Sequence, residues 1–233
     1  MKIENTLTVI VPFFNEFLYL EESIQRLIKN DIYKKIILVD DCSNDGSELI
    51  GKKISESNKK IIYLKTKDNL GKGNAINCAL EFVESTHVVI HDADLEYFPE
   101  DIIAMQNLLL ENNNSLILGS RFIGNKTRKN IYFRTYLANR IMSVFFSLIN
   151  FYYVSDVATC YKLMPTKFFK SIVIKENGFS IEIEILSKFL KYNKSIVEVP
   201  IKYEGRTYKQ GKKIKTVDGF KYLYKTVKYR IAN

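Results

Sequence analysis

Four times in its first half the chain repeats one pattern: a short apolar run, a few polar or turn-forming residues, then a segment with helical periodicity. Residues 8–11 lead to a helix over 16–29, residues 35–39 to one over 45–56, and residues 60–64 to one over about 73–84. The run Thr86-His87-Val88-Val89-Ile90 leads to a helix after Pro99, and residues 115–119 supply a fifth strand. Strands that are apolar without alternation belong in a sheet covered on both faces, and their alternation with helices makes that sheet mostly parallel. Ligands of such sheets bind beyond the carboxyl ends of the strands. With 233 residues there is material for one good-sized domain. The second half differs, with a Tyr/Phe-rich helical stretch over 131–153, a helix near 179–192, a strand at 195–199 and a basic aromatic tail.

Polar residues gather at the strand ends. The first strand closes in Pro12-Phe13-Phe14-Asn15-Glu16, the second in Asp40-Asp41, and the fourth in His91-Asp92-Ala93-Asp94-Leu95-Glu96. On an extended chain residues two apart face the same way, so Asp92, Asp94 and Glu96 are expected to point together into the cleft. Crowded carboxylates repel unless a cation or hydrogen-bond donors hold them. A hard divalent ion shared with a substrate's phosphates would do so; a solvated acidic turn ahead of the next helix is the rival. Asp40 and Asp41 could accept from a nucleobase or ribose, or shape the turn-rich Cys42-Ser43-Asn44-Asp45-Gly46-Ser47 that follows. Gly71-Lys72-Gly73 opens a helix whose first N–H groups favour an anion, without the spacing of a Walker loop. His87 and His91 read as structural, His91 facing away from Asp92.

The formal net charge of +9 points to an anionic partner. Arg121, Arg128, Arg134 and Arg140 fall in one short segment, and arginine suits bidentate phosphate contacts. Arg134 and Arg140 lie on the helical stretch among aromatic and aliphatic residues, where a lipid- or phosphate-facing role competes with a solvated helix face. Cys42, Cys78 and Cys160 lack metal-ligand spacing and read as reduced thiols of a cytosolic protein. The polar start and the shortness of the longest apolar run, 141–154, argue against a signal peptide and a membrane span.

Taken in order, these motifs resemble a known family. Val9-Ile10-Val11-Pro12-Phe13-Phe14-Asn15-Glu16 and Val39-Asp40-Asp41-Cys42-Ser43-Asn44-Asp45-Gly46-Ser47 resemble the start of family 2 glycosyltransferases with the GT-A fold. Asn69-Leu70-Gly71-Lys72-Gly73, the acidic triplet and Gly119-Ser120-Arg121-Phe122 are similar to the dolichol-phosphate mannosyltransferase, or polyprenyl-phosphate glycosyltransferase, branch. Val197-Glu198-Val199-Pro200, Gly205-Arg206-Thr207 and Gly211-Lys212-Lys213 carry the resemblance nearly to the end. It implies a single GT-A domain over 1–233, with a nucleotide-sugar and metal half over about 6–125 and an acceptor half beyond it.

By that resemblance Pro12, Phe14, Asn15, Glu16, Asp40, Asp41 and Asp92 would hold the nucleotide-sugar, with Lys72 near its binding loop. Asp92, Asp94 and Glu96 would bind Mg²⁺ or Mn²⁺ with the diphosphate. Arg121, Arg140 and Arg206, helped by Lys212, would handle donor or acceptor phosphates, and Arg134 is counted with them. The stretch 131–153 would meet the lipid. Mannosyl members often carry Gln at Glu96 and Thr-Ser-Gly-Phe at Ala158-Thr159-Cys160-Tyr161, so the donor sugar, GDP- or UDP-linked, is left open.

The expected reaction is inverting transfer to a polyprenyl phosphate, with Asp94 and Arg121 catalytic. The acceptor phosphate is largely ionised near neutral pH and needs no general base. A sugar-hydroxyl acceptor would need one, and Asp156 is then the candidate. The expected setting is the cytoplasmic face of a membrane, bound peripherally to an anionic surface, with room for an anchoring partner protein. The tail over 220–230 could lie on lipid headgroups or pack on the domain. A non-catalytic lipid- or nucleic-acid-binding module is the reading from another class; the acidic triplet speaks against nucleic acid.

Overall fold

β1 (Leu7–Phe13) is buried at all seven positions, and it runs through the middle of the molecule. In the computed structural model, which describes residues 5–206 and 216–231, β1 lies between β2 (Lys35–Asp40) and β4 (His87–Ile90), parallel to both. β3 (Ile61–Lys65) extends this parallel block beyond β2. On the other side β7 (Lys162–Pro165) pairs antiparallel with β4 and with β5 (Leu116–Ser120), and β8 (Ile196–Pro200) closes the edge parallel to β5. The order of the seven strands is β3-β2-β1-β4-β7-β5-β8. A mixed, mostly parallel sheet was expected, and it forms. β7 was not foreseen as a strand. All four of its residues are buried, Lys162 included, and its partners lie far away in sequence, so local patterning gave no sign of it.

The helices follow the strands as their periodicity dictates. α1 (Leu20–Lys29) buries Leu20, Ser23, Ile24 and Leu27, a stripe at helical spacing. It starts later than the expected residue 16, because Asn15 adopts a left-handed φ of 53° and residues 16–19 form a turn. α2 (Ser47–Ser57), α3 (Lys72–Ala79) and α4 (Glu100–Leu108) come after β2, β3 and β4. β6 (Arg128–Lys129) pairs with β9 (Tyr203–Glu204). α5 (Phe133–Asn150) occupies the expected aromatic stretch; α6 (Thr166–Ser171) and α7 (Ile181–Tyr192) follow.

The tail forms α8 (Thr216–Ile231), which packs on α5 and α7. Tyr222, Thr226 and Tyr229 are buried, while Lys221, Tyr224, Lys228, Arg230 and Ile231 remain more open. One face of α8 is therefore a domain contact, and the open face carries basic residues. Among the described residues no helix is long and apolar enough to cross a membrane.

Candidate active site

The carboxyl ends of β1, β2 and β4 converge on a cavity of about 740 Å³. Its first wall is a pair of interlocked turns. Asn15 N–H donates to Ser43 Oγ (3.0 Å), Asn44 N–H to Asn15 Oδ1 (2.9 Å), and Glu16 N–H to Ser47 Oγ (2.9 Å). Pro12, Phe14, Glu16 and Asp41 thereby line the cavity, and Asn15 does not. The two aspartates divide their tasks. Asp40, fully buried, accepts from Ser43 N–H (2.8 Å) and Tyr63 OH (2.8 Å) and does not reach the cavity. Each of its oxygens thus takes part in shaping the turn after β2. Asp41 accepts from Gly71 N–H (2.7 Å) and Thr66 Oγ1 (3.1 Å), drawing the Gly71-Lys72-Gly73 turn against the cavity.

That turn needs its glycines. Gly71 has φ +94°, and a Cβ there would lie 2.3 Å from the Asn177 carbonyl; at Gly73 it would lie 1.9 Å from the Glu176 carbonyl. The close approach seats Lys72 at the helix start, where Nζ lies 2.8 Å from Asp92 Oδ1 and 3.0 Å from Glu182 Oε1.

The acidic triplet faces the cavity, although not by the expected route. Beyond β4 the chain turns instead of staying extended, and Leu95 takes φ +63°. Asp94 Oδ1 accepts from Glu96 N–H (3.1 Å), and this turn, not strand alternation, brings Asp92, Asp94 and Glu96 to one side. Burial, with the charges of Glu96 and Asp92, pushes the Asp94 carboxyl up to about 8, against the pull of Arg206. Arg206 bridges the group, with Nη2 3.2 Å from Asp94 Oδ2 and Nη1 3.0 Å from Glu16 Oε2. Glu96 is occupied by Tyr203 OH (2.5 Å) and Arg206 N–H (2.7 Å), so it fixes the segment that carries Arg206.

Among the described residues no three His, Cys, Asp or Glu are grouped to hold a cation by themselves. What Asp92 and Asp94 offer is a pair of carboxylates on an open cavity, to be completed by a ligand's own oxygens. This donor set fits a hard divalent ion such as Mg²⁺ or Mn²⁺.

Arg121 lines the far wall. Its Nε and Nη2 lie 2.7 and 2.8 Å from the two oxygens of Asp156, and its backbone N–H donates to Oδ2 at 3.0 Å. Asp156 is fully buried behind that wall. Its carboxylate is committed to Arg121, so the geometry offers it as the holder of an arginine and gives a base role no support. Arg134 lines the cavity from the first turn of α5 and meets no carboxylate among the described residues. Arg140 donates to Ser155 O (3.1 Å) beside the Phe122 ring and does not line the cavity. Lys212 lies outside the described residues. His91 is structural as expected: it is buried between Ser23 Oγ (3.1 Å) and Tyr161 OH (2.9 Å), and burial lowers its pKa to about 4.

Glu182, Cys160 and Tyr203, which no strand-end motif marks, also line the cavity. Glu182 had one available signal. It alternates with isoleucines in Ile181-Glu182-Ile183-Glu184-Ile185, at the start of a helix that buries nine of its twelve residues, where a glutamate must find a partner.

The chain is similar to several known proteins. Over 229 residues the chain is 27% identical to an uncharacterised protein of Methanocaldococcus jannaschii, covering 96% of this chain and 91% of the relative. Over 243 residues it is 27% identical to the UDP-N-acetylglucosamine–dolichyl-phosphate N-acetylglucosaminyltransferase of Methanococcus voltae, with 96% of each covered. Glucosyl-3-phosphoglycerate synthase from Mycobacterium tuberculosis, solved with Mn²⁺, UDP and phosphoglyceric acid, superposes with a TM-score of 0.74. That match spans 99% of this chain and 80% of the other at 15% identity, a likeness of fold. The motifs of the strand ends lie within residues 8–173, which match the sequence model of glycosyl transferase family 2, and the chain belongs to that family as a glycosyltransferase of the GT-A fold.

Proposed function

We propose that the protein moves a sugar from a nucleoside diphosphate donor to a polyprenyl phosphate at the cytoplasmic face of a membrane, inverting the anomeric centre. One observation carries this: a single cavity joins the acidic strand ends to the basic wall of Arg121 and Arg134, beside a helix whose outer face is apolar. Along α5, Leu137, Ile141, Val144 and Leu148 are exposed by 46%, 54%, 52% and 67%, a stripe at helical spacing. Such a stripe suits lipid, and the basic residues on the open face of α8 suit anionic headgroups. The named activity of the Methanococcus voltae relative supports a UDP-linked donor and a dolichyl-type phosphate acceptor.

In this reaction an acceptor phosphate oxygen attacks the anomeric carbon from the face opposite the leaving group. The bond from that carbon to the diphosphate breaks, and the electron pair leaves with the nucleoside diphosphate. A phosphomonoester has a second pKa of about 6, so no base has to remove a proton. Arg134 would hold the acceptor phosphate, while Arg121, kept in place by Asp156, would offer a fixed guanidinium edge on the same wall. Pro12, Phe14 and Asp41 would bound the nucleoside. Lys72 and Arg206 stand beside the acidic pair, where charge on a departing diphosphate would meet them. A divalent cation, Mg²⁺ or Mn²⁺, held by Asp92 and Asp94 with Glu96 beside them, would stabilise that leaving charge.

The test is incubation of the full chain with UDP- and GDP-sugars, undecaprenyl or dolichyl phosphate in vesicles, and Mn²⁺ or Mg²⁺. The expected product is a solvent-extractable lipid carrying sugar phosphate, formed one for one with nucleoside diphosphate. Transfer to sugar hydroxyls but to no polyprenyl phosphate would replace this acceptor with a glycan.

A further inference from the structure

Four charged side chains alternate through the wall behind the cavity. Lys162, on β7, is fully buried; its Nζ donates to the Thr159 carbonyl and lies 2.5 Å from Glu182 Oε2. Glu182, on α7 and 3% exposed, turns its other oxygen to Lys72 Nζ at 3.0 Å. Lys72, at the start of α3, reaches Asp92 Oδ1 at 2.8 Å. The line Lys162–Glu182–Lys72–Asp92 is neutral as a whole, and of its members only Lys162 does not line the cavity. A lysine that meets neither solvent nor the cavity cannot serve a ligand directly. What it does is pair with Glu182 and fix it in place, since an unpaired buried carboxylate would be costly.

This arrangement matters when Asp92 changes partner. A carboxylate that takes up a cation has to release its lysine, and a buried ammonium left without an anion opposes that release. Here Lys72 has a second carboxylate already in contact. We propose that Glu182, held from behind by Lys162, is a positioning residue that keeps Lys72 paired while Asp92 turns to a cation arriving with the donor diphosphate. The three groups left behind then carry one net positive charge facing the diphosphate, so the wall changes from neutral to anion-binding as the donor enters. This inference rests on the cavity being a donor site, as proposed above.

The test uses the full chain and titration calorimetry of UDP and GDP, each with Mn²⁺ and with chelator. In the wild type, Mn²⁺ strengthens nucleotide binding. In the double variant Lys162→Met/Glu182→Gln, both buried charges are gone, a replacement that is often neutral for stability. Its unfolding midpoint is expected near the wild type's, while the strengthening of nucleotide binding by Mn²⁺ shrinks about tenfold, beyond any loss seen with chelator. Glu182→Asp keeps the charge but shortens the reach to Lys72. It is expected to lose about threefold of the Mn²⁺ effect, and it decides the matter where the double variant does not fold. An unchanged Mn²⁺ effect, or equal loss with and without the cation, overturns the positioning role while leaving the donor site standing. Absence of binding of either nucleotide to the wild type overturns the donor site, and the positioning role falls with it.

Discussion

Arg206 meets Asp94 with Nη2 3.2 Å from Oδ2, tying the end of β9 to the turn after β4. The contact offsets only part of the charge crowded there, because Asp92 and Glu96 also face this turn. Asp94→Asn removes one of the two carboxylates offered to a cation while preserving shape. Nucleoside diphosphate release from a UDP-sugar in Mn²⁺ is expected to fall about a hundredfold or more, with an unchanged circular dichroism spectrum. Equal turnover by variant and wild type would remove Asp94 from the site.

Asp156 gives a sharp contrast between two roles. If it holds Arg121, then Asp156→Asn leaves a buried guanidinium without its carboxylate, a loss of about 3–5 kcal/mol for a buried pair. Denaturant unfolding is expected to show that loss. A base would instead give a variant of wild-type stability whose turnover regains rate as pH rises.

At Gly73 the backbone of residue 176 stands where a side chain would begin. Gly73→Ala is therefore expected to cost about 1–3 kcal/mol in chemical denaturation, the range for forced overpacking. UDP affinity should fall as well, because the same turn seats Lys72. A variant with unchanged stability would mean that residues 176–177 yield freely.

Glu176 anchors the tail helix. Lys225 Nζ lies 2.5 Å and Tyr229 OH 2.7 Å from its Oε1, with Lys228 at 3.9 Å, all on α8; Glu184 of α7, paired with Lys188, accepts its backbone N–H. Burial pushes the Glu176 carboxyl up, but the hydrogen bonds from Lys225 and Tyr229 outweigh it and hold the group below its usual 4.5. The folded protein thus binds this proton less readily than the unfolded chain. The stabilisation is complete above about pH 4.5 and is lost as pH falls through the lower folded value. Protease cleavage near α8 should rise in that acid window, and Glu176→Gln should raise it already at neutral pH and flatten the pH dependence.

The surface next to the cavity separates lipid binding from stability. Ile141→Glu with Leu148→Glu is expected to change unfolding free energy by less than about 0.5 kcal/mol each, since both side chains are exposed. Flotation with anionic vesicles should nevertheless be lost. Neutralising Lys221, Lys228 and Arg230 should weaken flotation and its salt dependence. Lys225 is a poor choice for this purpose because Glu176 already holds it. Undiminished flotation of both variants would place the lipid contact elsewhere.

Legibility in the sequence followed the range of the interactions. The strands of the parallel block and the helices between them were readable because each announces itself within a dozen residues. β7 was not, since its one lysine hides a fully buried strand whose partners are remote. At the site, Asp92, Asp94, Glu16, Asp41 and Arg121 were readable as strand-end residues and do line the cavity. Even so, the triplet reaches it through a turn in which Leu95 takes a positive φ, which alternation along a strand does not describe.

That polar groups collect beyond the carboxyl ends of a mostly parallel sheet follows from apolar runs and their periodicity, which are local properties of the chain. Which of those groups face the cavity, and beside which partners, is settled by long-range packing. That packing turns Asp41 rather than Asp40 to the cavity, gives Asp156 to Arg121, and puts Glu182 behind Lys72. The partners lie far apart along the chain: Lys72 and Glu182 are separated by 110 residues, and Arg206 and Glu16 by 190. No local pattern records such pairs, yet the cost of burying any of these charges alone makes the pairings decisive.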